Sequence, residues 1–448
     1  MRYHFRVIAL LIGLLIPGGF GFRCVGGQAE EPRLDLDSYL KRELQTLKDA
    51  DPDKLSDSMK RVRAALKDDA DTDDMLLAWF TEYHRRLAES DEFKDRKFAP
   101  LRPMEIPPGN NGWHDVMKAG EKARQYEEAN GYELYGKVVS GEPVPAEEAA
   151  GYLDETATAR ELAILAAQAE HITPPGFGLT DVLSSTPQTA LWRVLSVRVH
   201  AQLALDDRAA AASEASDALR LIGRTEFGTA IINELFAMLA HTVVLNGILL
   251  SPAWKADELE KLLEFAPEHK PRPDAMMFSE ALYLVLAAES IAKTEKKDIK
   301  QAFKLIREGN TPLSDLLEQG VATNLKTLKI RADAAEWARK NPGDIRDADY
   351  SKRLLERMKD DEAAGWRTNF ANILEPQAWL VAVKIKLAWL HGKRGDEFSK
   401  AAASLADETL VFRAAVEDRS VRVRFKADHP LALKDSKTPI CEFELVGE

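Results

Sequence analysis

The chain has 448 residues, with 61 lysines and arginines against 73 aspartates and glutamates, for a formal net charge of −12. An acidic surface repels phosphate backbones, and no basic block interleaved with aromatics offsets that repulsion, so nucleic acid is excluded as a partner. The length suffices for two to four domains' worth of core at ~100–200 residues each.

Residues 1–29 have the order of a secretory signal peptide. Arg2 and Arg6 make a basic start, and Val7 to Ile16 is an unbroken apolar run. Pro17-Gly18-Gly19 ends that run, and Gly27-Gln28-Ala29 supplies small residues ahead of Glu30. The apolar run is shorter than the ~20 residues that span a bilayer. Cleavage near Glu30 and export to a periplasmic or extracellular space are therefore expected. An uncleaved anchor extended through Phe22 is the rival reading, and bulky Phe22 and Arg23 argue against a lipid anchor at Cys24. With the leader removed, no membrane span is expected and Cys441 is the one cysteine left, so an intrachain disulfide is ruled out. The core alone must then hold the fold, which this length allows.

Residues 30–97 read as an N-terminal helical region. Leu55, Met59, Val62 and Leu66 recur on one helical face, with Asp51-Pro52 ahead as cap and first position. Met75, Trp79, Tyr83 and Leu87 mark the next helix. Residues 98–112 carry four prolines and an Asn-Asn-Gly, a connection rather than an element. Residues 113–409 form the main helical domain. Within it a helix around Leu153–Ala169 ends at a proline- and glycine-rich break from Thr173 to Pro187. Beyond the break, Trp192, Leu195, Val199 and Leu203 form one stripe, and Ala211, Ala215, Ala218 and Ile222 the next, with Asp206-Asp207 as the turn. Alanine lets two helix backbones approach closely, which suits an antiparallel hairpin. Residues 410–448 change character. Val421, Val423 and Phe425 alternate with Arg422, Arg424 and Lys426, and Cys441, Phe443 and Leu445 alternate with Glu442 and Glu444. Two half-buried strands are expected, and antiparallel pairing would set arginines beside glutamates.

The hairpin Ala190–Ile222 resembles the paired-helix unit of tetratricopeptide repeats, chiefly through Ala211, Ala215 and Ala218-Leu219 in its second helix. It departs from that unit in the first helix, where the family's small residue and tyrosine are not matched, and no repeat of fixed period recurs. The stretch Pro143–Gly247 is similar to exported all-helical bacterial proteins of uncharacterised activity. The run Leu387–Asp396 and the strands after it follow the same order, an aromatic, a glycine turn, a short helix and a small hairpin. The resemblance covers about half of the chain and implies a helical fold; it carries no activity with it.

Three clusters are candidates for chemistry. The acidic run Asp68 to Asp74 suggests a calcium loop, but counting from Asp69 puts Asp74 where the turn glycine belongs and Phe80 where a bidentate glutamate belongs. An acidic helix start, favoured by the helix dipole, is the reading preferred. Glu234 and His241 share a face of an otherwise apolar helix, where buried polar groups need partners and a carboxylate near an imidazole can be functional; a bond to a neighbouring helix is the commoner outcome. Trp113, His114 and Asp115 follow Asn110-Asn111-Gly112 and join a stacking face, an imidazole and a carboxylate at a loop-to-helix boundary. They are the candidate ligand-binding residues. Against them stands a plain local reading, in which Asn-Gly turns, Asn111 or Asp115 starts a helix and Trp113 packs inward, and that reading is favoured.

Other chemistry lacks its motifs: there is no His-Glu-x-x-His, no paired-cysteine metal spacing, no glycine-rich phosphate loop and no Gly-x-Ser-x-Gly. No catalytic residue, metal ligand or cofactor is assigned. The fold expected is all-α, antiparallel helical hairpins in an irregular solenoid or layered bundle, with a small C-terminal β-hairpin. The function expected is that of an exported, non-catalytic binding or scaffold protein with a protein or glycan partner. The alternative is an exported glycan-active enzyme on a helical toroid, with paired carboxylates at the bond and some of the eight tryptophans stacked on sugars.

Overall fold

The computed structural model describes residues 35–91, 110–140, 142–173, 185–225, 231–251, 253–266, 273–274, 276–277, 299–300, 303, 311–417, 419–432 and 439–445. The signal-peptide reading, Cys24, most of the proline-rich connection, the centre of the break before Pro187 and the side chain of Glu234 lie outside them. Along the described residues the chain is helical, with one small antiparallel sheet near the C-terminus. No described helix is long and apolar enough to cross a membrane. The chain divides into two units. One comprises Met1–Arg102, Asp274–Asn341 and Glu356–Gly365, the other Pro103–Pro273, Pro342–Leu355 and Trp366–Glu448.

The first unit is built on α1 (Leu36–Asp49), α2 (Asp57–Ala64), α3 (Thr72–Ala88) and α12 (Leu313–Lys340). Asp51 does act as a cap, but of a single 3-10 turn, Pro52–Lys54. Ser56 then restarts the chain as α2 by accepting from the Met59 amide. The acidic run behaves as a helix start: Asp71 accepts from the amides of Asp73 and Asp74, and Asp74 accepts from Asp71 N in return, a capping box. The stripe Met75, Trp79, Tyr83 and Leu87 is buried together with Leu313, Leu317 and Val321 of α12. Polar ends of the large side chains are satisfied within the same unit. Trp79 Nε1 donates to Leu313 O at 3.0 Å and the Tyr39 hydroxyl to Thr311 O at 2.7 Å. Glu82, buried on α3, accepts from Arg61 and Arg85, and these guanidiniums hold its carboxyl down at about 2 against the desolvation that opposes them.

The second unit is organised around α8 (Ser185–Ala204). Packed against it are α4 (Trp113–Asn130), α5 (Glu133–Ser140), α6 (Ala146–Glu155), α9 (Arg208–Arg224) and α10 (Ile231–Val244), while α7 (Ala157–Gln168) packs on α4 and α9. A helix surrounded this way must be apolar on most faces, and Leu191, Trp192, Val194, Val197, Val199 and Ala201 of α8 are all buried. Two glycines allow other helices to approach α8 closely. A Cβ on Gly120 of α4 would lie 2.5 Å from Pro187 O, and one on Gly247 would lie 2.9 Å from Ser196. Gly247 belongs to a π-helical turn, Leu245–Leu249, that extends α10. The hairpin α8–α9 turns at Asp206, a positive-φ residue, and Asp207 caps α9 by accepting from Ala210 N.

After α11 (Ala256–Leu263), α13 (Ala348–Glu356) and α14 (Lys359–Ile373), helices α15 (Glu375–Leu390) and α16 (Gly395–Asp407) lead into the sheet. The sheet has three strands in the order β1 (Phe412–Glu417), β2 (Ser420–Phe425), β3 (Cys441–Glu444), one more than the alternation pattern marks. Register pairs Arg422 with Glu442, and Arg422 Nε lies 2.7 Å from that carboxylate. Val421, Val423, Phe425, Cys441 and Leu445 are buried, in a sheet that packs on α15 and α16. Phe443 is only half-buried.

Candidate functional site

Trp113, His114 and Asp115 open α4, and successive helical side chains leave the axis about 100° apart. Trp113 turns into the core of the second unit, His114 is exposed and Asp115 is half-buried. The polar work at this boundary belongs to Asn111. Its Oδ1 accepts from the amides of Trp113 and Thr173, both at 3.0 Å, and its Nδ2 donates to Thr173 O at 2.7 Å. Gly112 lies so close to α7 that a Cβ would meet Ala166 O at 2.6 Å. The segment joins two stretches of chain far apart in sequence. His241 is buried on α10.

A different set of residues converges around the α4–α5 turn. There a pocket of about 360 Å³ is lined by four tyrosines, Tyr126, Tyr132, Tyr135 and Tyr152. Local sequence explains the placement. Gly131 ends α4 with φ of +76°, a conformation glycine adopts without a Cβ penalty, and its amide returns to Glu127 O at 2.8 Å. The sharp turn leaves Tyr132 67 % exposed at the mouth. Tyr126 and Tyr152 meet edge to face with ring centres 5.0 Å apart, which fixes the inner wall. Burial pushes the Tyr135 hydroxyl up to about 12 and Tyr152 well above its ordinary value. Arg193 of α8 forms a bidentate ion pair with Glu127, Nε to Oε1 at 2.7 Å, and its guanidinium lies 5.8 Å from the Tyr132 ring centre and 6.0 Å from that of Tyr135.

The rim is acidic. Glu127 is taken by Arg193 and Glu148 lies 3.9 Å from Lys137. Glu133, Glu147 and Glu155 have no ion-pair partner among the described residues and are exposed. Gly151, on the α6 side of the mouth, has no atom within 4 Å of the place its Cβ would occupy. The pocket is thus open there.

Two further polar constellations lie in the same unit. Arg198 of α8 is buried and forked onto Glu214 of α9 at 2.9 and 2.8 Å, and also donates to Leu153 O and Thr156 Oγ1. A cavity of about 270 Å³ beside it has an apolar floor and arginines Arg160, Arg220 and Arg224 around it. Arg224 is spent on the carbonyls of Ala167 and Ala169. Lys386 of α15, with its ammonium destabilised by burial and its pKa lowered to about 7, donates to the carbonyls of Ser251 and Leu249 at the end of the π-turn. His200 Nε2 donates to Gly247 O, 2.7 Å away, and burial lowers its pKa. Both groups serve backbone carbonyls. Among the described residues no group of three or more His, Cys, Asp or Glu is placed to hold a metal.

The tyrosines are not grouped in the sequence, because they come from α4, the turn after it, α5 and α6. The Asn130-Gly131-Tyr132 turn was the available signal: a helix stop followed at once by an aromatic that cannot return to the helix it just left. Comparison with protein-family models, with curated proteins and with solved structures finds no match to this chain.

Proposed function

We propose that the protein is an exported, non-catalytic binding protein and that the tyrosine-lined pocket at the α4–α5 turn receives its ligand. The observation that carries the reading is Tyr132. A large aromatic ring exposed at the mouth of a pocket, with three more tyrosines behind it, is a stacking surface with no use in the core. The flanking helices support this. The hairpin α8–α9, similar to a tetratricopeptide-like unit, gives a rigid backing on which a protein or glycan segment can be held, and the basic, apolar and small-residue order of residues 1–29 supports export. Binding is preferred to glycan cleavage because the unpaired glutamates of the rim stand in water. A general acid for glycoside hydrolysis needs surroundings that favour its protonated form.

The test is a panel of oligosaccharides and peptides probed with the full chain and with Gly151→Phe, which fills the mouth from a position with free space around it. Ligands retained by the first protein should be lost by the second. Equal retention by both would place the binding elsewhere, and bond cleavage abolished by Glu147→Gln would replace binding by catalysis.

A further inference from the structure

We infer that the ligand of the tyrosine pocket presents an organic cation, a guanidinium or ammonium group on a short aliphatic stem. The inference rests on the pocket being a binding site and adds the charge of what it takes. Its first support is a cation already in place. The Arg193 guanidinium over Tyr132 and Tyr135 shows that these ring faces stand where a positive group can use them, and Glu127 supplies the counter-charge. An aromatic face attracts a cation through its quadrupole, more strongly as water is excluded.

The second support is the charge left over. Arg193 and Lys137 are the cationic side chains of the lining, and each has a glutamate partner. Glu133, Glu147 and Glu155 remain uncompensated on one rim. The field reaches inward, because the carboxylates of Glu155 and Glu148 add to burial in raising the Tyr126 hydroxyl above its ordinary value. An anionic ligand would be repelled by this rim. A neutral sugar would stack on Tyr132 and leave the three carboxylates without a role. A cation stacks on the rings and is attracted by the rim, so both features act on the same group. The volume, about 360 Å³, suits a small amine or one long basic side chain.

Calorimetric titration of the full chain with agmatine, with a blocked Gly-Arg-Gly peptide and with cellobiose separates the outcomes. Agmatine should bind in low salt and lose affinity in high salt. The double variant Glu147→Gln/Glu155→Gln should weaken it ~5- to 10-fold, as expected for two exposed charges near a bound cation. Both substitutions are on exposed positions, and an unchanged helical circular dichroism spectrum checks the fold. Gly151→Phe should abolish the binding. Binding of the peptide alongside agmatine identifies a basic side chain on a chain as the natural source, and agmatine alone identifies a free amine. Salt-insensitive binding of cellobiose without agmatine overturns the cationic inference and leaves the pocket a binding site. No binding of any of the three by a correctly folded protein overturns the reading of the pocket together with the inference. Agmatine binding that survives Gly151→Phe overturns both as well.

Discussion

Helix α8 carries two arginines five residues apart, each forked onto one glutamate, and the two pairs do different things. Arg198 and Glu214 are sealed, with side chains 5 % and 6 % exposed, and their remaining donors go to α6 and the start of α7. Arg193 and Glu127 stand at a pocket wall, 23 % and 10 % exposed, and the flat faces of the guanidinium are shared with two tyrosines. The chemistry of the pair is the same. What surrounds it decides whether it clamps helices together or prepares a surface for something else.

Truncating the sealed arginine should break the fold first. Arg198→Ala leaves the Glu214 carboxylate buried without its main partner and should cost ~3–5 kcal/mol. Urea unfolding measures this, and a loss no larger than that of the Arg193 variant would erase the contrast.

Glu82 of the first unit makes a third case, a buried carboxylate held by two partly exposed arginines. Its folded pKa, about 2, is below the ~4.3 of an unfolded glutamate. Its contribution is therefore complete above the unfolded value and is lost as pH falls from there through the folded one. With the partners screened by water, we expect ~1–2 kcal/mol of acid-side stability, absent in Glu82→Gln. Parallel acid titrations of the two proteins, followed by circular dichroism, should separate over that window, and superimposed curves would remove Glu82 from the comparison.

Arg193→Ala should cost less, about 1 kcal/mol, because the pair is partly solvated. The same change should widen the pocket and alter ligand affinity far more than it alters the melting temperature. A variant that melts early but binds normally would make Arg193 a clamp like Arg198. Smallest of all, Tyr132→Ala should change stability by under ~0.5 kcal/mol, since its ring is mostly in water. Its effect belongs in binding, and a large stability loss would mean that Tyr132 is a packing residue.

These contrasts also mark what could be read from the residues beforehand. Periodicity located α3, the α8–α9 hairpin and strands β2 and β3, because in each the spacing of apolar side chains repeats locally and needs no knowledge of the partner. A helix start in the acidic run Asp68 to Asp74 and the setting of arginines beside glutamates across β2 and β3 are also legible in the local sequence. Strand β1 was not, since its alternation rests on Phe412 with small Ala414 and Ala415 behind it. Nor was the use of Leu313, Leu317 and Val321 to complete a core begun more than two hundred residues earlier, because pattern shows that a face is apolar and not what covers it. Trp113-His114-Asp115 drew attention through adjacency, whereas Tyr126, Tyr132, Tyr135 and Tyr152 come together only when α4, α5 and α6 have folded.

Cys441 is a thiol under cover. It lies on β3 among buried side chains, close to Ala378 O, and burial pushes its pKa up to about 12. A thiol reacts as its thiolate, and at neutral pH this one holds almost none while the sheet is closed. Alkylation in a Cys24→Ser background therefore requires β3 to leave α15. The molecule contains its own reporter of the opening of its C-terminal sheet, readable as the mass gained on alkylation of a native residue.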